Sequence, residues 1–260
     1  MSSARPASEA VGVVCAIPAR YGSIRLPGKA LLPICGRPMI EHVYRRASEA
    51  SGLDAVVVLT DHEDIRRTVE SFGGACEMTP ADCRSGTDRI AWAARNWSAD
   101  AVINVQGDEP LLDPAAITHL AEHLRAHAGE EMVTLAAEVD ERALQDPNQV
   151  KVVRGGDGYA LYFSRAGIPY RREAADSAPA APVLLHIGVY GYRRNVLLRL
   201  ADLDASPLER SEKLEQLRAL ENGIRIRVLP VDEAPLGVDT ATDLALAERR
   251  MAAKQTNENP

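Results

Sequence analysis

Short apolar runs alternate with helix-periodic stretches from Gly12 to Ala137, and this rhythm restricts the fold more than any other feature of the chain. Gly12 to Ile17 is one run, closed by Pro18; Ala55 to Leu59, Ala75 to Met78, Ala101 to Val105 and Met132 to Ala137 repeat it. Runs so brief and so uniformly apolar predict strands buried on both faces of a parallel sheet. Between them, Met39, Ile40, Val43, Tyr44 and Ala47 recur at helical spacing behind Pro38, which a first helical turn tolerates. Asp61 is placed to cap a helix carrying Ile65, Val69 and Phe72, another helix is expected from about Thr87, and Ile117, Leu120 and Leu124 share the face of a further one. Strand and helix in alternation give an α/β fold, a mostly parallel sheet with helices on both faces.

After Val150 the rhythm changes. Lys151 to Val153, Tyr159 to Phe163 and Leu184 to Tyr192 read as strands with no helix between them, which predicts an antiparallel insertion or edge. The stretch from Arg171 to Pro182 is rich in Ala, Pro and charge, the composition of a loop. One helix is expected from about Leu208 through Leu214, Leu217 and Leu220, capped by Gly223, then a strand Ile224 to Val228 and a last helix to about Met251. The expectation is a single α/β domain over 11–251 with a smaller lobe at about 151–223 and flexible ends at 1–10 and 252–260.

The formal charge of −7 argues against a general nucleic-acid binder, which needs a basic face. Anionic ligands must then be held by a few placed cations. Cys15, Cys35, Cys76 and Cys83 form no CxxC pair and no zinc-like spacing, so they read as reduced thiols. No apolar run approaches the length of a membrane span, and Met1 to Ala10 lack the regions of a signal peptide, so a cytoplasmic protein with no membrane partner is expected.

The chemistry concentrates in the loops that follow strands. Pro18 to Lys29 (PARYGSIRLPGK) leaves the first strand at the carboxyl edge of the sheet, where open α/β folds bind ligands. Its glycines allow close backbone approach, and Arg20, Arg25 and Lys29 supply the cations that a triphosphate requires. The pattern is neither GxxxxGK[ST] nor GxGxxG, and an ordinary surface loop is the bland alternative. Asp108, in VQGDEP, stands directly after a strand and can hold Mg²⁺ against phosphate oxygens. Asp239, in GVDT, opens a helix; it is either that helix's cap or, paired with Asp108, a second magnesium ligand. Ser85 and Gly86, in DCRSGTDR, enter a helix and can meet a base edge or an acid, although alone they form a cap.

These residues, in this order, resemble the CMP-KDO synthetases, the 3-deoxy-manno-octulosonate cytidylyltransferases. The likeness runs from about Val13 to Leu244, through IPARYGSIRLPGKAL, MTPADCRSGTDR, NVQGDEPLL, PNQVKVV, GYALYFSRAGIPY, HIGVYGY, SPLERSEKLEQLRALENG and GVDTATDL. The resemblance implies a nucleotidyltransferase-type, Rossmann-like sheet with a smaller dimerisation lobe, a homodimer, and transfer of CMP from CTP to a small anionic acceptor with release of pyrophosphate. It further implies that Arg20, Ser23 and Lys29 contact the triphosphate, that Ala19, Ser85 and Gly86 surround cytosine, and that Asp108 and Asp239 hold Mg²⁺. Gln106, Arg165, His186, Tyr190, Glu215 and Gln216 would line the acceptor side. His186, between apolar neighbours, otherwise reads as a hydrogen-bonded core histidine.

The chain departs from the family pattern at Cys83, where His is usual, at Gly167, where Pro is usual, and at Ile24, where Thr or Ser is usual. Those departures keep a second acceptor in view, a small phosphonate such as phosphonoformate, for which Arg84, Arg89 and Arg165 would form an arginine-rich pocket. A sugar-1-phosphate nucleotidyltransferase would instead carry a GxGTR-type first loop, which this chain lacks. A nucleotide-binding module without catalysis is a further class, disfavoured by the joint presence of Arg20, Lys29, Asp108 and Asp239.

Overall fold

The computed structural model describes residues 12–22, 26–171 and 181–258. Ser23, Ile24 and Arg25, most of the loop from Arg171 to Pro182, and residues 1–11 lie outside the described residues.

The chain runs β1 (Val13–Ala19), β2 (Pro33–Ile34), β3 (Arg37–Pro38), α1 (Met39–Glu49), β4 (Ala55–Thr60), α2 (Glu63–Ser71), β5 (Cys76–Met78), α3 (Gly86–Ala94), β6 (Ala101–Asn104) and α4 (Pro114–Ala126). It continues through β7 (Met132–Val139), β8 (Lys151–Arg154), β9 (Ala160–Ser164), β10 (Val183–Arg193), α5 (Arg194–Asp202), α6 (Pro207–Glu212), α7 (Gln216–Glu221), β11 (Ile226–Val231) and α8 (Ala241–Glu258). A nine-stranded sheet has the order β11-β7-β10-β6-β1-β4-β5, with the β8–β9 hairpin attached to β10. Neighbours are parallel except around β10, which lies antiparallel between β6 and β7. The mostly parallel α/β sheet expected from the sequence is present.

Alternation along β1 shows how the strands hold the layers apart. Cys15 and Ile17 face α1, α2 and α4, while Ala16 faces α3 and α5. Each fully buried aliphatic side chain in these two layers contributes about 1.5–3 kcal/mol. A third, smaller core joins Ile34 and Met39 to Val238, Ala247 and Met251, so α8 packs beside the β2–β3 hairpin.

Several expectations need correction. Of the two options for β10, insertion or edge, the edge is wrong: it pairs with β6 and β7 in mid-sheet, its residues alternating between buried and half-buried, and the β8–β9 hairpin is the antiparallel appendage. The helix from Leu208 is two helices. A capping box of Ser206 and Glu209 starts α6, and Lys213, at φ 56°, ends it so that Leu214 can turn into the core before α7. His62, not Asp61, caps α2. The last helix, expected to about Met251, continues to Glu258.

Candidate active site

The carboxyl ends of β1 and β6 meet because Val105 continues the pairing, its N–H donating to the Ala16 carbonyl at 3.0 Å. Gly107 then passes so near β1 that a Cβ there would lie 3.0 Å from the Pro18 carbonyl oxygen. Gly86 does the same from the other side, 3.1 Å from Pro18 Cγ, and brings the start of α3 against the same strand end. Two distant segments of the sequence thus close on Pro18, and a cavity of about 520 Å³ opens between them and the first loop. Ala19, Arg20, Lys29, Ser85, Gly86, Gln106, Asp108 and Asp239 all line it, which unites most of the residues singled out in the sequence. Ser23 lies outside the described residues.

Lys29, Asp108 and Asp239 form the electrostatic centre of this cavity. The Lys29 ammonium donates to Asp108 Oδ2 at 2.5 Å, to Asp239 Oδ1 at 3.2 Å and to the Val238 carbonyl at 3.0 Å. The Val238 N–H donates to the Asp108 carbonyl at 2.9 Å, tying the two aspartate loops together through the main chain. Asp239 does not cap α8. Thr240 and Asp243 do so reciprocally, and Asp243 Oδ2 accepts the N–H groups of Asp239 and Thr240. The Asp239 carboxylate is therefore turned to Lys29. Two carboxylates from distant loops share one cation, so they stand close enough together to share a divalent ion whose remaining ligands come from phosphate. Among the described residues no group of three or more His, Cys, Asp or Glu side chains is arranged to hold a metal.

Sequence reasoning passed over Glu109, although it stands in the VQGDEP motif. Burial first, and then the charges of Asp108 and Asp239, push its pKa up to about 8, with Lys29 opposing. Its Oε2 is buried with no hydrogen-bond partner among the described residues. A protonated Glu109 adds no third negative charge to the aspartate pair at neutral pH.

Ser85 is both cap and site residue. Its Oγ accepts the Asp88 N–H at 3.1 Å at the start of α3 and donates to Glu215 Oε1 at 3.4 Å. Burial raises the Glu215 pKa. Gln106 donates to Asn104 Oδ1 at 3.1 Å, which fixes its amide. Gln216 is buried, and its Nε2 has no partner among the described residues.

The register of β10 brings His186 and Tyr190, both expected from the resemblance to face the acceptor, to the same edge. β10 pairs with β6 only from Tyr190 to Arg193, so Val183–Val189 run on past the end of β6. His186 sits there with Phe163 and Tyr190, ring centroids 4.9 and 5.3 Å away. Its Nε2 meets Thr134 Oγ1 at 3.1 Å, and that hydroxyl also stands 3.2 Å from the Ile187 carbonyl and 2.9 Å from the Val189 carbonyl. With the single hydroxyl proton assigned to a carbonyl, Nε2 of His186 is the donor and Nδ1 is left as an acceptor. Burial lowers its pKa to about 3, so it is neutral and supplies no positive charge for an acid. Arg165, at the end of β9, is held by Glu212 and Pro147. Arg84 and Arg89 line the cavity by Cys83, each beside its own aspartate: Arg84 donates to Asp88 at 2.7 Å and Arg89 lies 3.2 Å from Asp61. The three arginines expected to form one pocket are divided between two places: Arg84 and Arg89 are matched by aspartates, whereas the Arg165 guanidinium meets the main-chain carbonyls of Glu212 and Pro147.

A profile described as cytidylyltransferase matches residues 14–226. The chain belongs to the cytidylyltransferase family. It is a CTP-dependent nucleotidyltransferase, similar to the 3-deoxy-manno-octulosonate cytidylyltransferase of Trichlorobacter lovleyi at 49% identity, covering 92% of this chain and 98% of that one. The 8-amino-3,8-dideoxy-manno-octulosonate cytidylyltransferase of Shewanella amazonensis is also 49% identical, covering 93% and 99%. A CMP:2-keto-3-deoxy-manno-octonic acid synthetase solved in complex with CTP superposes at a TM-score of 0.89 and 43% identity, over 94% of this chain and 99% of that one. A 4-diphosphocytidyl-2C-methyl-D-erythritol synthase from Anaerococcus prevotii, at 12% identity and TM-score 0.61, shares the fold. Among the described residues no helix is long and apolar enough to cross a membrane.

Proposed function

We propose that this cytidylyltransferase transfers CMP from CTP to the anomeric hydroxyl of 3-deoxy-manno-octulosonate and releases pyrophosphate. The observation that carries the reading is the convergence of Asp108 and Asp239 on Lys29 in a cavity bordered by the glycine- and arginine-bearing first loop. In this reading Arg20, Ser23 and Lys29 hold the triphosphate, and Ala19, Ser85 and Gly86 surround the base. Asp108 and Asp239 hold Mg²⁺, which supplies charge neutralisation and orientation at the phosphate oxygens when bound. The acceptor oxygen attacks the α-phosphorus in line with the departing pyrophosphate, so the protein's contribution is placement and cationic stabilisation. Gln106, Arg165, His186, Tyr190, Glu215 and Gln216 receive the acceptor; neutral His186 accepts one of its hydroxyl protons and Arg165 meets its carboxylate.

The phosphonate alternative loses its structural motive, because Arg84, Arg89 and Arg165 do not form one arginine-rich pocket. Exposed Leu161 and Tyr170, 66% and 85% accessible in and beyond edge strand β9, support a homodimer built through this lobe. Light scattering on the purified chain tests that directly. The test of the reaction is pyrophosphate release from CTP and Mg²⁺ with each acceptor supplied alone. Release with 3-deoxy-manno-octulosonate is expected. Release only with the 8-amino sugar, or only with phosphonoformate, would reassign the acceptor; none with any acid would refute the transfer.

A further inference from the structure

Arg165 is held more completely than a surface arginine needs to be. The hairpin register sets Ser164 opposite Lys151 and Lys151 opposite Leu185, so Arg165 emerges at the edge that carries His186. Glu212 grips it twice: Oε2 accepts the Arg165 main-chain N–H at 2.9 Å, and the Glu212 carbonyl accepts from Arg165 Nε at 2.8 Å. Oε1 of the same carboxylate accepts from Ser164 Oγ at 2.6 Å. Pro147 O takes Nη1 at 3.0 Å. The Arg165 carbonyl accepts from Lys151 Nζ at 2.8 Å.

Lys151 is fully buried, and among the described residues its ammonium has only carbonyls as hydrogen-bond partners: Arg165, Asp146 at 2.8 Å, and Gln149. A buried charge without an acidic partner is costly unless its hydrogen bonds are complete. Here every one of those bonds fixes either Arg165 or the 146–149 loop that offers Pro147 O to the guanidinium. Among the described residues Nη2 of Arg165 makes no hydrogen bond, so one edge of the guanidinium remains for a ligand. Of the residues assigned to the acceptor side, Arg165 alone is cationic, since His186 is neutral.

We propose that Glu212 and Lys151 are positioning residues, which hold Arg165 ready for the carboxylate of the acceptor. The inference rests on the acceptor-side reading of Arg165 given above. An arginine ordered before the ligand arrives loses less rotamer freedom on binding, and the gain falls on acceptor affinity alone.

The experiment measures KM for 3-deoxy-manno-octulosonate and KM for CTP in Arg165→Ala, Glu212→Gln and the double variant, with Lys151→Met as a second route. Arg165→Ala should raise the octulosonate KM roughly 30-fold, the scale of a lost charge-assisted pair. Glu212→Gln should raise it about 5- to 10-fold with the CTP KM within about twofold, since it loosens the same contact without removing it. In the double variant the Glu212 change should add nothing, because it acts through Arg165. Lys151→Met should repeat the selective octulosonate effect if it folds; Glu212→Gln, which buries no new group, decides the matter if it does not. Additive effects, parallel rises in both KM values, or a silent Glu212→Gln would overturn the inference. An unchanged octulosonate KM in Arg165→Ala would overturn it too, yet leave cytidylyl transfer standing; absence of pyrophosphate release by the unsubstituted enzyme would instead sink the proposed function.

Discussion

The two sides of the site are built on different plans. On the nucleotide side, loops leaving β1 and β6 and the turns before α3 and α8 meet within one cavity, and each carries its functional residues within a few positions of a strand or helix end. On the acceptor side, an antiparallel strand, a hairpin and two very short helices deliver single residues from far apart in sequence. The first plan fixes the charges of Lys29, Asp108 and Asp239 with main-chain geometry. The second shapes a surface with side chains that can be exchanged one at a time. Changes in the first should cost turnover, and changes in the second should cost acceptor affinity.

The sharpest break between the two should come from the aspartates. Asp108→Asn or Asp239→Asn is expected to cost about a thousandfold in turnover with thermal unfolding little changed, the scale of lost cation binding at a phosphoryl centre. Near-normal turnover in either variant would remove the metal assignment. Gly107→Ala should come next. Its new methyl would sit 3.0 Å from the Pro18 carbonyl oxygen, so the Asp108 loop must shift slightly from β1, which should lower kcat/KM for CTP about 10- to 100-fold. A kinetically silent Gly107→Ala would show that close approach of the two strands is not required.

The smallest effect concerns His186 and appears in stability. Its folded pKa of about 3 lies below the usual histidine value of 6.5, so between those values the unfolded chain binds the extra proton. Stability should therefore fall as pH drops from 6.5 toward 3, by at most about 1.4 kcal/mol per pH unit from this group. His186→Gln should flatten that part of the profile, measured as urea midpoints between pH 7 and pH 5. An identical slope in both proteins would mean that His186 is not kept neutral by the fold.

The same contrast explains what could be read from the sequence. The nucleotide side was legible because its signals are local: an apolar run, a glycine that allows close approach, then a charge. Asp239 was ambiguous between cap and ligand; Asp243 takes the helix-start amides and the Asp239 carboxylate meets Lys29, an arrangement no local pattern encodes. On the acceptor side, Leu208 to Leu220 keeps helical periodicity across a break at Lys213, because the residues that follow the break still bury leucines. The central place of β10 depends on pairing across the whole sheet, and no local pattern distinguishes it from an edge strand. Lys151 is an ordinary lysine in sequence; its burial arises from a loop and a strand that meet only in three dimensions.

The proposed transfer depends on one nucleotide cradle made from the first loop and the two aspartates. A crystal grown with CTP and Mn²⁺ tests it by anomalous scattering. A manganese peak between Asp108 and Asp239, with the triphosphate against Arg20 and Lys29, is the predicted result. Manganese remote from both carboxylates, or CTP bound outside this cavity, would contradict it.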